Sequence, residues 1–354
     1  MSYEDGWAAV NLEGPRRIPR TEYSAESYHW PLVSRVTGIE VTGDSPAELR
    51  EEASLAFMTA WNYDFCWNTL IGRKYLGERS TNMGHAAYAI DGSDQVTGGP
   101  AAFSSPEEVL AFDPLEELPF YEHSDLVDRF SAHYRSNRDR FPDAVNMTGT
   151  YITVVSGLID LLGWDMLLLT AGTDLEKFGE FTNRYADWVM RFYRALADSE
   201  TPMIMMHDDI VWTSGPFLDP EWYRRFVFPN YRRYLEPVRE AGKKIAFTSD
   251  GDFTAFIDDI AGAGVHGFAC EPLTDMAQIA ERYGKTHFFV GNADTRILLD
   301  GDPAKIRAEV QRCISIGRDC PGFFVAVGNH IPANTPIEAA LCYNECYEEM
   351  MWRT

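Results

Sequence analysis

The chain has 354 residues, 45% of them hydrophobic, which is enough for one large domain or two ordinary ones. Its 31 Lys and Arg residues are outnumbered by 54 Asp and Glu residues, and a net charge of −23 disfavours nucleic acids and anionic membranes as partners. The start of the chain lacks an apolar signal segment, no uncharged run approaches the length of a membrane span, and the six cysteines include no CxxC pair. We therefore expect a cytoplasmic protein with reduced thiols.

The first 45 residues carry little periodicity and are rich in proline, arginine and aromatic residues. We expect residues 1–45 to form an arm with one short helix over 30–37. A longer helix is predicted from Ser45-Pro46 to about Trp61, because Ser is a good N-cap and Pro fits the first helical position. A first strand is predicted over 63–67.

Residues 70–118 interrupt the alternation of strands and helices. Asp91-Gly92 lies between two short apolar runs, which predicts a β-hairpin, and Ser105-Pro106 starts another short helix. The stretch is too short to bury an independent core. We therefore predict an insertion that covers one end of a single domain spanning residues 1–354.

The remaining chain alternates short apolar runs with segments of helical periodicity. Strands are predicted over 143–148, 203–208, 244–248, 267–270, 286–291 and 323–327. Helices are predicted over 126–137, from 149 with a second segment at 164–169, and over 174–197, 219–241, 253–263, 275–283, 302–316 and 335–350. Five consecutive β/α units after residue 203 favour an α/β fold of the (β/α)8 TIM-barrel type. An open doubly wound sheet is the alternative, but its usual Gly-rich dinucleotide turn is absent from the sequence.

The C-terminal ends of barrel strands meet at one rim, where active sites lie. Acidic and histidine side chains follow several predicted strands and should therefore converge: His207, Asp209, Asp250, Glu271 and His330, with Asn292 and Asp294 as further rim residues. Alternation along a strand places His207 and Asp209 on one side and Asp208 on the other. Several acids in one cleft need a cation, a shared proton or a basic substrate. The cluster thus indicates either general acid–base catalysis or a divalent metal such as zinc.

Aromatic residues crowd the early segments, Tyr23 and Trp61 among them. Core packing explains most such residues. The alternative is that they hold a flat aromatic substrate over the mouth of the barrel.

Several motifs together resemble the uroporphyrinogen decarboxylase superfamily. They are the segment from Asp209 to Pro229, Ser249-Asp-Gly-Asp252, Cys270-Glu-Pro272, Gly291-Asn-Ala-Asp294 and Gly328-Asn-His-Ile-Pro-Ala-Asn-Thr-Pro336. The resemblance is good over about residues 140–354 and loose before them. It implies a (β/α)8 barrel with one of two activities: decarboxylation of uroporphyrinogen without a cofactor, or methyl transfer to or from a corrinoid.

Two departures from the family pattern narrow this choice. The decarboxylases carry an Arg-Gln-Ala-Gly-Arg type motif near the N-terminus for substrate carboxylates, where this chain has Arg20-Thr-Glu-Tyr23. Many of the methyltransferases hold zinc through a His-x-Cys pair and a later Cys, and the corresponding places here are Thr248, Asp250 and about Asn329. The resemblance therefore favours the corrinoid branch, without a thiol as methyl acceptor.

We accordingly expect a methyltransferase that moves a methyl group from a small, aromatic methyl ether to a corrinoid, which is an O-demethylation. The five strand-end residues above are the expected catalytic groups and the candidate ligands of zinc or another divalent metal. Expected substrate contacts are Tyr23, Trp61, Asn292 and Asp294. The methyl acceptor would be free cobalamin or the corrinoid of a separate corrinoid protein, and a homodimer is left open. The alternatives are a lyase that decarboxylates another acid and a non-catalytic ligand-binding barrel.

Overall fold

The computed structural model describes residues 1–81 and 102–353. Its strands are β1 (Phe65–Cys66), β2 (Thr69–Ile71), β3 (Val145–Asn146), β4 (Thr148–Thr150), β5 (Met203–His207), β6 (Val211–Trp212), β7 (Gly215–Pro216), β8 (Lys244–Ser249), β9 (Gly267–Cys270), β10 (Phe288–Ala293) and β11 (Phe323–Val327). The central sheet has the order β11-β10-β9-β8-β5-β4-β2, with every neighbouring pair parallel. A second parallel pair joins β1 to β3, and β6 and β7 form a small antiparallel hairpin.

The N-terminal segment closes this sheet into a barrel. Arg20 forms parallel bridges with both Tyr63, just before β1, and Val325 in β11. The Val325 N–H donates to the Pro19 carbonyl at 2.9 Å, and the Asp64 N–H donates to the Arg20 carbonyl at 2.8 Å. β1 continues into β2 and β3 continues into β4, so each of these pairs counts as one strand of the barrel. Together with β5, β8, β9, β10, β11 and the segment around Arg20, they form a closed parallel ring of eight described segments. The predicted (β/α)8 barrel is confirmed.

Side chains of each strand alternate between two cores, as the period of two requires. One set fills the barrel interior and includes Met205, Ala246, Ala269, Val290 and Phe324. Their neighbours along the chain pack between the sheet and the surrounding helices: Ile204, Phe247, Phe268, Phe289 and Val325. Strands buried on both faces account for the continuous apolar runs in the sequence.

The helices surround the barrel. They are Tyr3–Val10, Trp30–Thr37, Ala47–Ala60, Pro106–Ala111, Pro114–Glu117, His123–Arg140, Val155–Leu162, Trp164–Thr173, Leu175–Asp198, Pro220–Phe226, Phe228–Glu240, Ile257–Ala263, Met276–Tyr283, Thr295–Asp300, Pro303–Gly317 and Ile337–Met350, with 3₁₀ turns at Arg73–Arg79 and Thr254–Phe256. Within the described residues no single helix is long and apolar enough to cross a membrane. The pair Val155–Leu162 and Trp164–Thr173 meets that criterion only jointly, and it is bent by 106°.

The structure corrects several predicted boundaries. The helix predicted over 219–241 is two helices that meet at Val227, because Pro229 has no N–H to continue the first one. The helix predicted from Gly149 begins only at Val155, since Gly149 and Thr150 belong to β4. The N-terminal arm contains an additional helix, Tyr3–Val10, whose N-cap Ser2 accepts the Asp5 N–H at 3.1 Å. The hairpin predicted around Asp91-Gly92 lies outside the described residues.

Candidate functional site

Three side chains from the ends of β5 and β8 meet at the C-terminal rim of the barrel. The imidazole Nε2 of His207 lies 3.0 Å from Oδ1 of Asp209 and 3.8 Å from Oδ1 of Asp250. The same Asp209 oxygen accepts the backbone N–H of Asp250 at 2.9 Å. The Asp209 carboxylate therefore joins the ends of two neighbouring strands and orients the imidazole between two acids.

The neighbouring Asp208 points away from this cluster, as strand alternation predicts. Its carboxylate is fully buried and accepts the backbone N–H groups of Val154, Val155 and Ser156 and the hydroxyl of Tyr231. It therefore provides the acceptors that the start of the helix Val155–Leu162 needs. Asp208 holds that helix against the end of β5, so that His207 and Asp209 leave the strand in a defined direction.

Glu271, at the end of β9, connects two rim loops. Its Oε2 accepts the Gly251 N–H at 2.7 Å, and its Oε1 accepts the side-chain amide of Asn329 at 2.6 Å. Asn329 in turn accepts the backbone N–H of His330 at 2.7 Å. Glu271 thus lies beside Asp250, but both of its carboxylate oxygens accept hydrogen bonds that position the loops after β8 and β11.

The rim cluster opens into a cavity of about 210 Å³ inside the mouth of the barrel. Its lining is aromatic and polar, and consists of Tyr23, Trp67, Thr69, Tyr151, Met205, His207, Asp250, Gly328, Asn329 and His330. No lysine or arginine belongs to the lining that the structure describes. A cavity of this size and character suits a small, uncharged or cationic ligand better than an anion.

Aromatic rings form the walls of this cavity. Tyr23 stacks on Trp67 with ring centres 4.6 Å apart and planes 14° from parallel. Tyr151 contacts the imidazole of His207 edge-on at 4.7 Å, and His330 lies 6.4 Å from Tyr23 while its Nδ1 contacts the hydroxyl of Ser24. These rings would hold a flat substrate on two sides.

The two cavity tyrosines are neutral hydrogen-bonding groups at neutral pH. Burial raises the pKa of Tyr151 to about 12, and the charges of Asp209 and Asp250 add to that effect against a hydrogen bond with Thr69. Burial likewise raises the pKa of Tyr23 well above its ordinary value, while its hydrogen bond with Thr248 works in the opposite direction. Each phenol therefore keeps its proton and offers the cavity a hydroxyl group that can donate and accept hydrogen bonds.

Three of the residues expected from the sequence lie away from the cavity. The amide of Asn292 is buried and bonds to the Glu271 carbonyl at 3.1 Å and to Arg312 at 2.9 Å. Asp294 caps the helix Thr295–Asp300 and pairs with Arg296 at 2.7 Å. Trp61 is buried below the guanidinium of Arg20, whose central carbon lies 4.4 Å from its ring centre. Tyr23, in contrast, lines the cavity.

Three residues that line the cavity were not predicted from the sequence to belong to the site, namely Thr69, Tyr151 and Met205. Tyr151 directly follows β4, so the rule that selected the acids at strand ends also applies to it. The sequence analysis placed Tyr151 in a predicted helix, so it was not recognised as a residue at the end of a strand. Thr69 and Met205 lie within β2 and β5, and nothing in their residue type distinguishes them from other sheet residues.

The rim could hold a metal ion with part of the expected ligand set. Donor atoms of His207, Asp209 and Asp250 all lie within 4.8 Å of one another. One imidazole and two carboxylates form a donor set that suits zinc or a similar first-row ion. Glu271 and His330 are turned towards Asn329 and Ser24, so the geometry groups three of the five candidates.

Comparison with known proteins gives a consistent family. The family model described as "Uroporphyrinogen decarboxylase (URO-D)" matches residues 108–350. The uroporphyrinogen decarboxylase of Syntrophotalea carbinolica is 23% identical over 244 residues, which is 69% of this chain and 68% of that protein. The enzyme of the same name from Thermus thermophilus is 27% identical over 160 residues, 45% of each chain.

A solved structure shares the fold along nearly the whole chain. A methyltransferase from Methanosarcina mazei superimposes with a TM-score of 0.67 and covers 99% of both chains at 16% sequence identity. The superposition establishes that the two proteins share the barrel fold. Because the sequence identity is low, the chemistry has to be argued from the site itself.

Proposed function

This chain belongs to the uroporphyrinogen decarboxylase family, and we propose that it is a methyltransferase which transfers a methyl group from a small aromatic methyl ether to a corrinoid. The observation that carries the proposal is the character of the described cavity: aromatic walls, an acidic rim and no lysine or arginine in the lining. A porphyrinogen with several carboxylates would meet Asp250 there without a compensating cation, which is unfavourable.

The position of Arg20 supports the same choice. This residue stands where the decarboxylase motif would supply an arginine for substrate carboxylates, yet its side chain is completely buried. Its Nε donates to Glu22 at 2.9 Å, and its guanidinium carbon lies 4.9 Å from the ring centre of Tyr343. The charge is therefore neutralised inside the protein and does not face the cavity. The same argument disfavours a lyase acting on another carboxylic acid.

The rim residues suit the chemistry of ether cleavage. The carbon–oxygen bond of the ether breaks with its electron pair going to oxygen, so the departing phenolate needs a proton. His207 is the candidate donor, because Asp209 and Asp250 stabilise its protonated form at 3.0 Å and 3.8 Å. The acceptor supplies a strong nucleophile that takes the methyl group. The stacked pair Tyr23 and Trp67 would hold the aromatic ring.

A divalent metal is the alternative way to activate the ether oxygen. His207, Asp209 and Asp250 would hold the ion, which would act as a Lewis acid on that oxygen in place of the proton. Thr248 and Asn329 occupy two places where the resemblance puts zinc ligands, one a hydroxyl bonded to Tyr23 and the other an amide bonded to Glu271. Thiolate ligation is therefore not part of the proposal.

The size of the cavity bears on the partner. A volume of about 210 Å³ is below the range of pockets that hold drug-sized ligands. The cavity therefore has no room for a tetrapyrrole macrocycle. The methyl acceptor would therefore approach from outside the mouth of the barrel, either as free cobalamin or on a separate corrinoid protein.

The test is a methyl-transfer assay with purified protein, chemically reduced cobalamin and a panel of aryl methyl ethers. We expect the absorption spectrum to change to that of methylcobalamin with one or more of these ethers. Asp294→Asn is the matched control for variants of the rim acids such as Asp250→Ala, because Asp294 also follows a barrel strand but pairs with Arg296 outside the cavity. Release of carbon dioxide from a carboxylic acid, without methylcobalamin from any ether or methylamine, would replace this proposal with the lyase.

A further inference from the structure

A second groove lies beside the cavity on the outer side of the rim. It has a volume of about 480 Å³ and shares Asp250 with the inner cavity. Its lining combines two tryptophans with three carboxylates, and consists of Trp164, Asp209, Val211, Trp212, Thr213, Asp250, Gly251 and Glu271. The methyl transfer proposed for the inner cavity involves only the acidic edge of this groove, and the side formed by the two tryptophans has no role in it.

The aromatic side of the groove is a packed cluster. The ring of Trp212 lies 5.8 Å from that of Trp164 and 5.4 Å from that of Phe217, and Trp164 and Phe217 are 5.1 Å apart. Trp212 is nevertheless 45% exposed. A large indole that is held by two aromatic neighbours and still faces solvent offers a ready surface for a ligand.

The backbone holds this cluster against the acids. Trp212 belongs to the hairpin of β6 and β7, and its carbonyl accepts the Asp252 N–H at 3.0 Å. Gly251 passes so close beneath the hairpin that a Cβ there would lie 2.6 Å from the Trp212 carbonyl oxygen. The loop that carries Asp250 and the hairpin that carries Trp212 therefore form one unit, and the groove exists before any ligand binds.

The charges in the groove select the ligand. Asp209, Asp250 and Glu271 contribute three carboxylates, and no lysine or arginine belongs to the described lining. An anion would be repelled, and a neutral ligand would gain nothing from the negative charge of the three carboxylates. A bare metal ion would gain nothing from the two indoles, whereas an alkylammonium group gains from both the carboxylates and the ring faces.

We propose that this outer groove binds a small organic cation, a quaternary or protonated ammonium group, which is part of the methyl donor or its close analogue. The inference rests on the proposed function in one respect, namely that the donor's reacting end occupies the inner cavity. Asp250, which borders both spaces, would then contact the donor between its aromatic ether and its cationic end.

The test measures binding alone, without corrinoid or turnover. Isothermal titration calorimetry and tryptophan fluorescence would be used with tetramethylammonium, choline and 3,3-dimethylbutan-1-ol, the uncharged isostere of choline. We expect saturable binding of both cations with quenching of tryptophan emission, and at least about tenfold weaker binding of the isostere. Equal affinity for choline and its isostere, or no saturable binding of either cation, would overturn the inference.

Two variants locate the site. Trp212→Leu should weaken choline binding by roughly threefold to thirtyfold, the range that the loss of one cation–π contact produces. Trp352→Leu is the matched control, because this tryptophan is also exposed, at 56%, but lies outside the groove. If both variants bind choline as the unchanged protein does, or both lose affinity alike, the cation does not bind in this groove.

The outcome is independent of the methyl-transfer assay. A protein that forms methylcobalamin from an uncharged aryl ether but does not bind choline would refute only the cation site. A protein that binds choline through Trp212 and transfers no methyl group would refute only the proposed function.

Discussion

His207 Nε2 lies 3.0 Å from Asp209 Oδ1, and that oxygen also receives the backbone N–H of Asp250 at 2.9 Å. This shared acceptor leads to a prediction for Asp209→Asn. The amide oxygen can still receive the Asp250 N–H, so the loop should keep its position, but the negative charge that stabilises a protonated imidazole is lost. We expect kcat for methyl transfer to fall about 100-fold to 10,000-fold, the usual range for general acid catalysis, in both Asp209→Asn and His207→Gln. Steady-state kinetics would measure this. Loss of activity together with a lowered Tm would point to a structural role.

The metal alternative predicts a different signature at the same residues. If a divalent ion is held there, protein purified without chelator should contain about one equivalent by elemental analysis, and EDTA should abolish activity until the metal is restored. Asp250→Ala should lower both the metal content and the activity, whereas Asp294→Asn should change neither. Full activity in metal-free protein would leave acid catalysis by His207 as the mechanism.

Glu271 is predicted to support the rim through its two hydrogen bonds. In Glu271→Gln, only one of the two terminal atoms can accept, so either the Gly251 N–H or the Asn329 amide faces another donor. We expect the free energy of unfolding to fall by about 1–3 kcal/mol, with a lower kcat, because the loops that carry Asp250 and His330 lose their common anchor. Urea denaturation would measure the stability change. Glu281→Gln, an exposed acid on the helix Met276–Tyr283, is the control and should be neutral.

The buried pair of Arg20 and Glu22 is predicted to stabilise the closure of the barrel. Arg20→Met should reduce the free energy of unfolding by about 3–5 kcal/mol, because Glu22 would keep a buried charge without its partner. The double variant Arg20→Met/Glu22→Gln should lose less than the sum of the two single changes. A double-mutant cycle by chemical denaturation measures the coupling. Strictly additive effects would show that the pair does not act as a unit, and a raised KM with unchanged stability would restore a substrate role for Arg20.

His266 gives a prediction for pH. Burial lowers its pKa to about 4, with contributions from Lys244, Arg239 and His287, and its Nδ1 accepts the Ile245 N–H at 3.2 Å. Between the unfolded value of 6.5 and about 4, the unfolded chain binds a proton that the folded protein does not, so stability falls as the pH falls through this window.

The matched variant is His266→Asn, which keeps an acceptor for Ile245 but cannot take up a proton. Urea denaturation at about pH 7 and about pH 5 should show a larger loss of stability in the unchanged protein than in the variant. Equal losses would mean that His266 is protonated to the same extent in both states.

The sequence predicted the barrel well where strands and helices repeat regularly, from Met203 onwards. It also placed His207, Asp209 and Asp250 together, because strand parity and the ends of parallel strands are strong constraints. The N-terminal segment was harder. Arg20 participates in the sheet through single-residue bridges, and no period of two can arise from one residue.

Side-chain direction at the rim was not predictable in the same way. Asn292 lies at the end of β10, and Asp294 follows β10 as Asp209 follows β5, yet Asn292 is buried against Arg312 and Asp294 caps a helix. The sequence shows that a polar residue ends a strand, but which neighbour takes up its hydrogen bonds depends on packing between distant elements. Tyr151 illustrates the reverse case, a cavity residue that ends a strand too short and too irregular to be recognised.

The barrel closes through contacts that are very distant in the chain, and this affects how it is made in a cell. The Val327 N–H donates to Glu22 across 305 residues. At ordinary rates of translation the N-terminal segment around Arg20 and Glu22 would wait roughly 15 to 60 seconds for that partner to be synthesised. During this interval it presents an unpaired edge to other nascent chains. An edge that carries Arg20 and Glu22 is poorly suited to pairing with an apolar strand, so the two charges that become buried at closure would first protect the unfinished barrel from aggregation.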